Sequence, residues 1–119
     1  MKITTEDQLW SRLIRKRDNF TCQRCGKKYE EGQQGLHCHH HRTRSCNSTR
    51  FDWDNCASLC HGCHQYVHSH ALEHVEFFKS RLGAKRYNAL IKRSNTPLKI
   101  TKEDRKQMRK DFKELLAGR

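Results

Sequence analysis

The chain has 119 residues, with 25 Lys plus Arg against 13 Asp plus Glu and a formal net charge of +12. Only 34% of it is hydrophobic and the mean hydropathy is -1.09, which excludes a large apolar core and points to one domain that needs metals or disulfides as staples. No apolar run reaches transmembrane length, and Met1 to Asp7 lacks the apolar stretch of a secretory leader, so the chain is expected in the cytoplasm with no membrane partner. The charge excess argues for a polyanionic partner, nucleic acid first, although a solvated basic surface has the same composition.

Thr4-Thr-Glu-Asp7 reads as a helix start, with Thr4 as N-cap and Asp7 in the place usually taken by Glu in a capping box. Leu9, Trp10, Leu13 and Ile14 follow at helical spacing, while Ser11, Arg12, Arg15 and Lys16 fill the other face; the helix is expected to end near Asp18-Asn19. Its expected role is to cover the turn that follows, with phosphate contact from the basic face a second reading. That turn, Cys22-Gln-Arg-Cys25, is a Cys-x-x-Cys knuckle followed by Gly26, which tolerates the tight backbone. A second knuckle is formed by Cys60 and Cys63. Seven cysteines is an odd number, and two matched pairs in a reducing compartment indicate a tetrathiolate zinc site rather than a disulfide framework; redox pairs are the rival reading.

Between the knuckles, Leu36 to His41 alternates Leu36, Cys38 and His40 against His37, His39 and His41, which suggests a short strand. Four histidines lie within these six residues. Arg42 to Arg50 is polar and basic without periodicity, a loop that Phe51 and Trp53 are expected to tuck against the core. Ala57 to Leu59 serves as a return strand. If a helix starts near Cys63, His64 and His68 share one face with Cβ atoms roughly 5–6 Å apart, a spacing that can hold a second metal. Hairpin, long loop and helix make a β-β-α unit.

From Ala71 the pattern is helical, with Leu72, Val75, Phe78 and Leu82 expected inward and Gly83 as the stop. Ala84 to Arg93 forms another helix with Tyr87, Leu90 and Ile91 inward, and Pro97 follows the break. Thr101 to Asp104 caps a last, basic helix with Met108, Phe112, Leu115 and Leu116 along one face. This helix is free to pack, dimerise or bind DNA. His70 and His74 read as a solvated or packed helix face, Cys38 and Cys56 as small buried residues, and Cys46 as an exposed loop residue.

Taken in order, Cys22-x-x-Cys25, Leu36-His-Cys-His-His-His41, Asn55 and Leu59-Cys-x-x-Cys-His-x-x-x-His68 resemble an HNH endonuclease of the ββα-metal class over roughly residues 20–68. The resemblance extends to small phage and prophage members, including a recombination-associated group with Arg-Phe-x-x-Asp-Asn before the second knuckle; here that stretch is Arg50 to Asn55. It implies a small α+β fold: a ββα core of about 20–70 with a four-cysteine structural zinc site inside a nuclease domain of 1–83, and a helical extension of 84–119 packed on or projecting from it. It also implies His40 as general base, Asn55 orienting that base directly or through its carbonyl, and His39, His64 and His68 as ligands of a divalent ion (Mg, Mn, Ni or Zn). Small phage members carry Ser or Gly at the position of His39, and His37 and His41 offer competing registers.

Neutral imidazole suits the base because its ordinary pKa of about 6.5 leaves it unprotonated at cellular pH. Arg42, Arg44 and Arg50, on the loop facing the site, could clamp phosphate. The implied activity is hydrolysis of DNA, double-stranded first, by nicking or cutting to 5′-phosphate and 3′-hydroxyl ends. A non-catalytic zinc module binding DNA, or a phage packaging or recombination protein, is the second reading, and an RNase or toxin-like nuclease the third.

Overall fold

The computed structural model describes residues 2–118. Helix α1 (Thr5–Arg17) begins at the predicted capping box: the Asp7 amide donates to Thr4 Oγ1 (3.2 Å), and the Thr4 amide to Asp7 Oδ2 (2.9 Å). Leu9, Trp10, Leu13 and Ile14 form its buried stripe. The helix ends where expected, in two left-handed residues, Asn19 (φ 55°) and Phe20 (φ 53°). The Phe20 amide reaches back to the Arg15 carbonyl at 2.8 Å, closing the last turn and turning the chain into the first knuckle.

Strand β1 (Leu36–His40) pairs antiparallel with β2 (Cys56–Cys60), His40 opposite Cys56 and Leu36 opposite Cys60. A short 3-10 turn (Trp53–Asn55) leads into β2. Helix α2 (His61–Ser69) follows β2 without a linker, two residues earlier than the Cys63 start expected from sequence. Cys60 is the reason: its sulfur caps the helix by accepting from the Cys63 amide (3.4 Å), so the knuckle is itself the helix N-terminus.

Helices α3 (Ala71–Leu82) and α4 (Ala84–Ser94) pack on each other, burying Phe78, Leu82, Tyr87 and Leu90 with Ala57 of β2. Leu72, expected inward, is 81% exposed. Two successive three-residue steps, from 72 to 75 to 78, carry a side chain about 120° around a helix, so Leu72 lies off the face that holds Phe78 and Leu82. Trp53 also stays 43% exposed, although its ring lies 4.4 Å from that of Trp10. Helix α5 (Lys102–Leu116) lies against α1: Phe112 packs in the cluster of Leu9, Trp10 and Leu13, and Glu6, almost fully buried, accepts from Arg105 (2.9 Å) and Arg109 (2.6 Å). Leu115, expected on that face, is 46% exposed, while Leu116 makes the contact.

Asp18 joins three elements. It accepts from the Ser58 amide of β2 (2.8 Å), from Arg17 (2.9 Å) and from Arg81 of α3 (3.1 Å). Burial alone would raise its pKa, but the Arg17 and Ser58 hydrogen bonds and the nearby guanidinium charges hold it below the usual carboxylate value. Replacing Asp18 by Ala strands a strand amide and two cations, which predicts a loss of about 3 kcal/mol. The reading is a lower urea midpoint with an unchanged slope; a midpoint within error of wild type would remove Asp18 from this role.

Candidate functional site

At one end of the hairpin the four knuckle cysteines converge. The sulfurs of Cys22, Cys25, Cys60 and Cys63 all lie within 4.8 Å of one another. Tetrahedral zinc, at about 2.3 Å from each sulfur, sets neighbouring sulfurs about 3.8 Å apart; Cys25 Sγ and Cys60 Sγ are 3.8 Å apart. Cys22 accepts from the Cys25 amide at 3.5 Å, and Arg24 donates to Cys63 at 3.5 Å. Burial would raise the Cys22 thiol, but surrounding amides, Cys25 first, draw it down to about 7; burial pushes Cys63 up to about 12. Four thiols this close cannot all ionise without a cation among them, so the donor set fits a structural zinc ion.

The pleat sorts β1 onto two faces. His37, His39 and His41 point to the side of α2 and α3. His39, His64 and His68 bring ring nitrogens within 4.8 Å of one another, with His64 and His68 one helical turn apart as the spacing predicts. His39 is 3% exposed and His68 is exposed, so the group is closed on one side and open on the other. Three imidazoles with an open side could hold a metal ion and leave a coordination position free. His74, expected on a solvated or packed face, joins this cluster instead: its Nε2 lies 2.8 Å from His39 Nε2 and 3.2 Å from His41 Nδ1. His37 Nδ1 meets His64 Nδ1 at 3.1 Å, and His41 Nε2 meets the Tyr87 hydroxyl at 2.9 Å. His74 sits four residues before Phe78, at the spacing that puts both on one face of α3; that was the signal available in the sequence.

His40 occupies the opposite face with Cys38. Its Nε2 lies 2.9 Å from the Arg50 carbonyl. A carbonyl can only accept, so Nε2 carries the proton and a neutral His40 keeps its lone pair on Nδ1. Asn55 does not hold this imidazole. Fully buried, it takes the Arg42 amide on Oδ1 (2.8 Å) and donates Nδ2 to the Arg42 and Thr49 carbonyls (2.9 and 3.0 Å), while its own carbonyl accepts from the His41 amide (2.8 Å). The expected orienting role is therefore corrected: Asn55 fixes the loop, and the loop's Arg50 carbonyl fixes His40.

A cavity of about 800 Å³ runs along β1 between α1 and α2, lined by both histidine faces and by Arg12, Arg15 and Arg44. Arg12 and Arg15 come from the basic face of α1. Of the three loop arginines expected at the site, only Arg44 lines this cavity. Arg42 is exposed and borders a separate groove with His41 and Ser94. Arg50 gives both arms to Asp7 (2.9 and 2.5 Å), because a carboxylate that buried needs a counter-charge. Cys38, expected buried, is half-buried on the cavity wall, and Cys56 is fully buried as expected. Cys46 is half-buried and donates to the Ser94 carbonyl (3.2 Å).

A family model described as Bacteriophage Lambda NinG protein matches residues 3–117, nearly the whole chain. The chain belongs to the NinG family. Comparison with curated proteins and with solved structures returned no match. Among the described residues of this NinG-family chain, no helix is long and apolar enough to cross a membrane.

Five imidazoles of the NinG chain are pushed toward their neutral form. Burial first, and the neighbouring imidazoles second, lower His39 to about 2 and His64 to about 4; burial and His74 lower His41 to about 4, and His37 and His74 are lowered as well. Neutral rings offer lone pairs to a cation. His40 differs: burial would lower it, but the hydrogen bond and charge of Cys56 together with the Arg50 carbonyl outweigh burial and raise it.

These shifts set a stability profile. A histidine whose folded pKa is depressed takes up its proton only on unfolding, so the unfolded chain binds more protons below about 6.5 and stability falls as pH falls. Protein with no added divalent ion should therefore lose stability between about pH 6.5 and 4. The slope reaches about 1.4 kcal/mol per pH unit for each such histidine. His41→Gln should flatten this slope in urea melts taken across the range; an unchanged slope would show that His41 titrates normally in the fold.

Proposed function

We propose that this NinG-family protein is a metal-dependent endonuclease of the HNH kind that hydrolyses DNA phosphodiester bonds, working in the cytoplasm of a phage's host. The observation that carries the reading is the convergence on one basic cavity of His39, His64 and His68 with His40, whose one lone pair is fixed on Nδ1. The β1–β2–α2 succession, with zinc knuckles at its base, is the arrangement expected of a ββα-metal core.

His39, His64 and His68 would hold a divalent ion (magnesium, manganese, nickel or zinc), which supplies Lewis-acid charge to the phosphate oxygens when bound. His40 takes the proton from the attacking water on Nδ1, with its ring held by the Arg50 carbonyl. Arg12, Arg15 and Arg44 bind phosphate through charge-assisted hydrogen bonds from the opposite wall. Asn55 acts as a positioning residue, keeping the Arg42–Thr49 loop in the shape that presents Arg44. The products are 5′-phosphate and 3′-hydroxyl ends.

The test is relaxation of supercoiled plasmid with magnesium, manganese or nickel. His40→Ala should slow cleavage about 10²–10⁴-fold while leaving the zinc of the four knuckle cysteines in place. Wild-type cleavage should decline as pH falls through the imidazole range, because a protonated ring neither takes a proton nor ligates a metal. Equal rates for the variant would remove His40 from the mechanism. Absence of cleavage under every ion, with DNA binding retained, would favour a non-catalytic DNA-binding module.

A further inference from the structure

We propose that Cys38, His40 and Cys56 form a further metal site, for a soft divalent cation of the zinc or cadmium class, and that its occupancy withdraws His40 from catalysis. The second clause rests on the nuclease reading; the first does not. The site lies on the α1 face of the hairpin, away from the face that carries His39 and the α2 imidazoles.

The strand register builds it. His40 stands directly opposite Cys56 and Cys38 opposite Ser58, so Cys38 and Cys56 are diagonal neighbours on one face. The two sulfurs and a His40 nitrogen lie within 4.8 Å of one another. Two thiolates and one imidazole select zinc or cadmium over magnesium, whose preference is oxygen. None of the three belongs to the tetrathiolate set or to the imidazole triad, and both cysteines are free thiols.

Two features outside the ligand set match a metal site. His40 donates Nε2–H to the Arg50 carbonyl, the outer contact that fixes the ring and tautomer of ligating histidines and leaves Nδ1 to bind. Trp10 Nε1 donates to Cys56 Sγ at 3.3 Å, a hydrogen bond that steadies the buried sulfur as a thiolate. Cys38 and His40 line the cavity, which leaves a fourth coordination position open to water.

The consequence is exclusion. Nδ1 is the only lone pair His40 has to give, so it cannot both bind a cation and accept a proton from water. Zinc in excess of the structural ion should therefore inhibit, whereas magnesium and manganese, poor partners for thiolate, should not.

The experiment titrates the full-length, zinc-loaded protein with cadmium ion and counts total metal per chain after desalting. Wild type should retain about one more ion than Cys38→Ser/Cys56→Ser, and His64→Ala should retain that ion. Cys38→Ser alone, at a half-buried position, serves where the double variant fails to fold. In unmodified wild type, cadmium should also protect Cys38 from alkylation by iodoacetamide. In the activity arm, micromolar zinc should suppress manganese-supported plasmid cleavage by wild type about tenfold or more while sparing Cys38→Ser. Equal metal counts in wild type and the cysteine variants, or alkylation of Cys38 unaffected by cadmium, would overturn the site. The extra ion bound with zinc-insensitive cleavage would overturn its inhibitory role. The extra ion bound with no cleavage under any condition would uphold the site and count against the nuclease reading instead.

Discussion

The arrangement depends on the register of one five-residue strand pair. With His40 opposite Cys56, His39 of β1 meets the imidazoles of α2, while Cys38 packs with Cys56 against α1. A slip of one residue would exchange the faces, sending His39 to the cysteine side and His40 to the imidazole side. Contacts at both ends and in the middle resist such a slip. The His61 amide donates to the Gly35 carbonyl (3.0 Å), the His41 amide to the Asn55 carbonyl (2.8 Å), and the Ser58 amide to Asp18 (2.8 Å). Buried Asn55 and buried Asp18 are thus devices of alignment, and the chemistry on either face follows from them.

A chain this polar cannot hold that register with apolar burial alone. Its core is divided into three small clusters, joined by charge. Glu6, Asp7 and Asp18 are buried carboxylates, each answered by arginine from a distant element, and all three are held below their ordinary pKa because those partners outweigh burial. The tetrathiolate group does the same work at the other end, tying residues 22–25 to the β2–α2 junction. The large positive charge therefore has two uses. Arg17, Arg50, Arg81, Arg105 and Arg109 hold the fold together, whereas Arg12, Arg15 and Arg44 line the cavity.

That division marks what could be read from sequence. Cysteine pairing, the Thr4 and Thr101 caps, the alternation of β1 and the i, i+4 pair on α2 are local patterns, and each appears in the fold. Partners across the chain are not local. Nothing near Arg50 indicates that its counter-charge lies 43 residues earlier on α1. Nothing near Asn55 indicates that it closes a loop rather than a ring. His74 joins the imidazoles only because α3 folds back across the hairpin, and Leu72 misses the core because three-residue spacing drifts around a helix.

One hairpin carries a sulfur site at its base and a separate open imidazole site on one face. Anomalous diffraction from crystals soaked in manganese, recorded at the zinc and manganese edges, tests it most directly. A zinc peak should lie enclosed by Cys22, Cys25, Cys60 and Cys63, and a manganese peak within bonding distance of His39, His64 and His68. A manganese peak away from those imidazoles, or imidazoles that stay bonded to one another with the ion present, would contradict it.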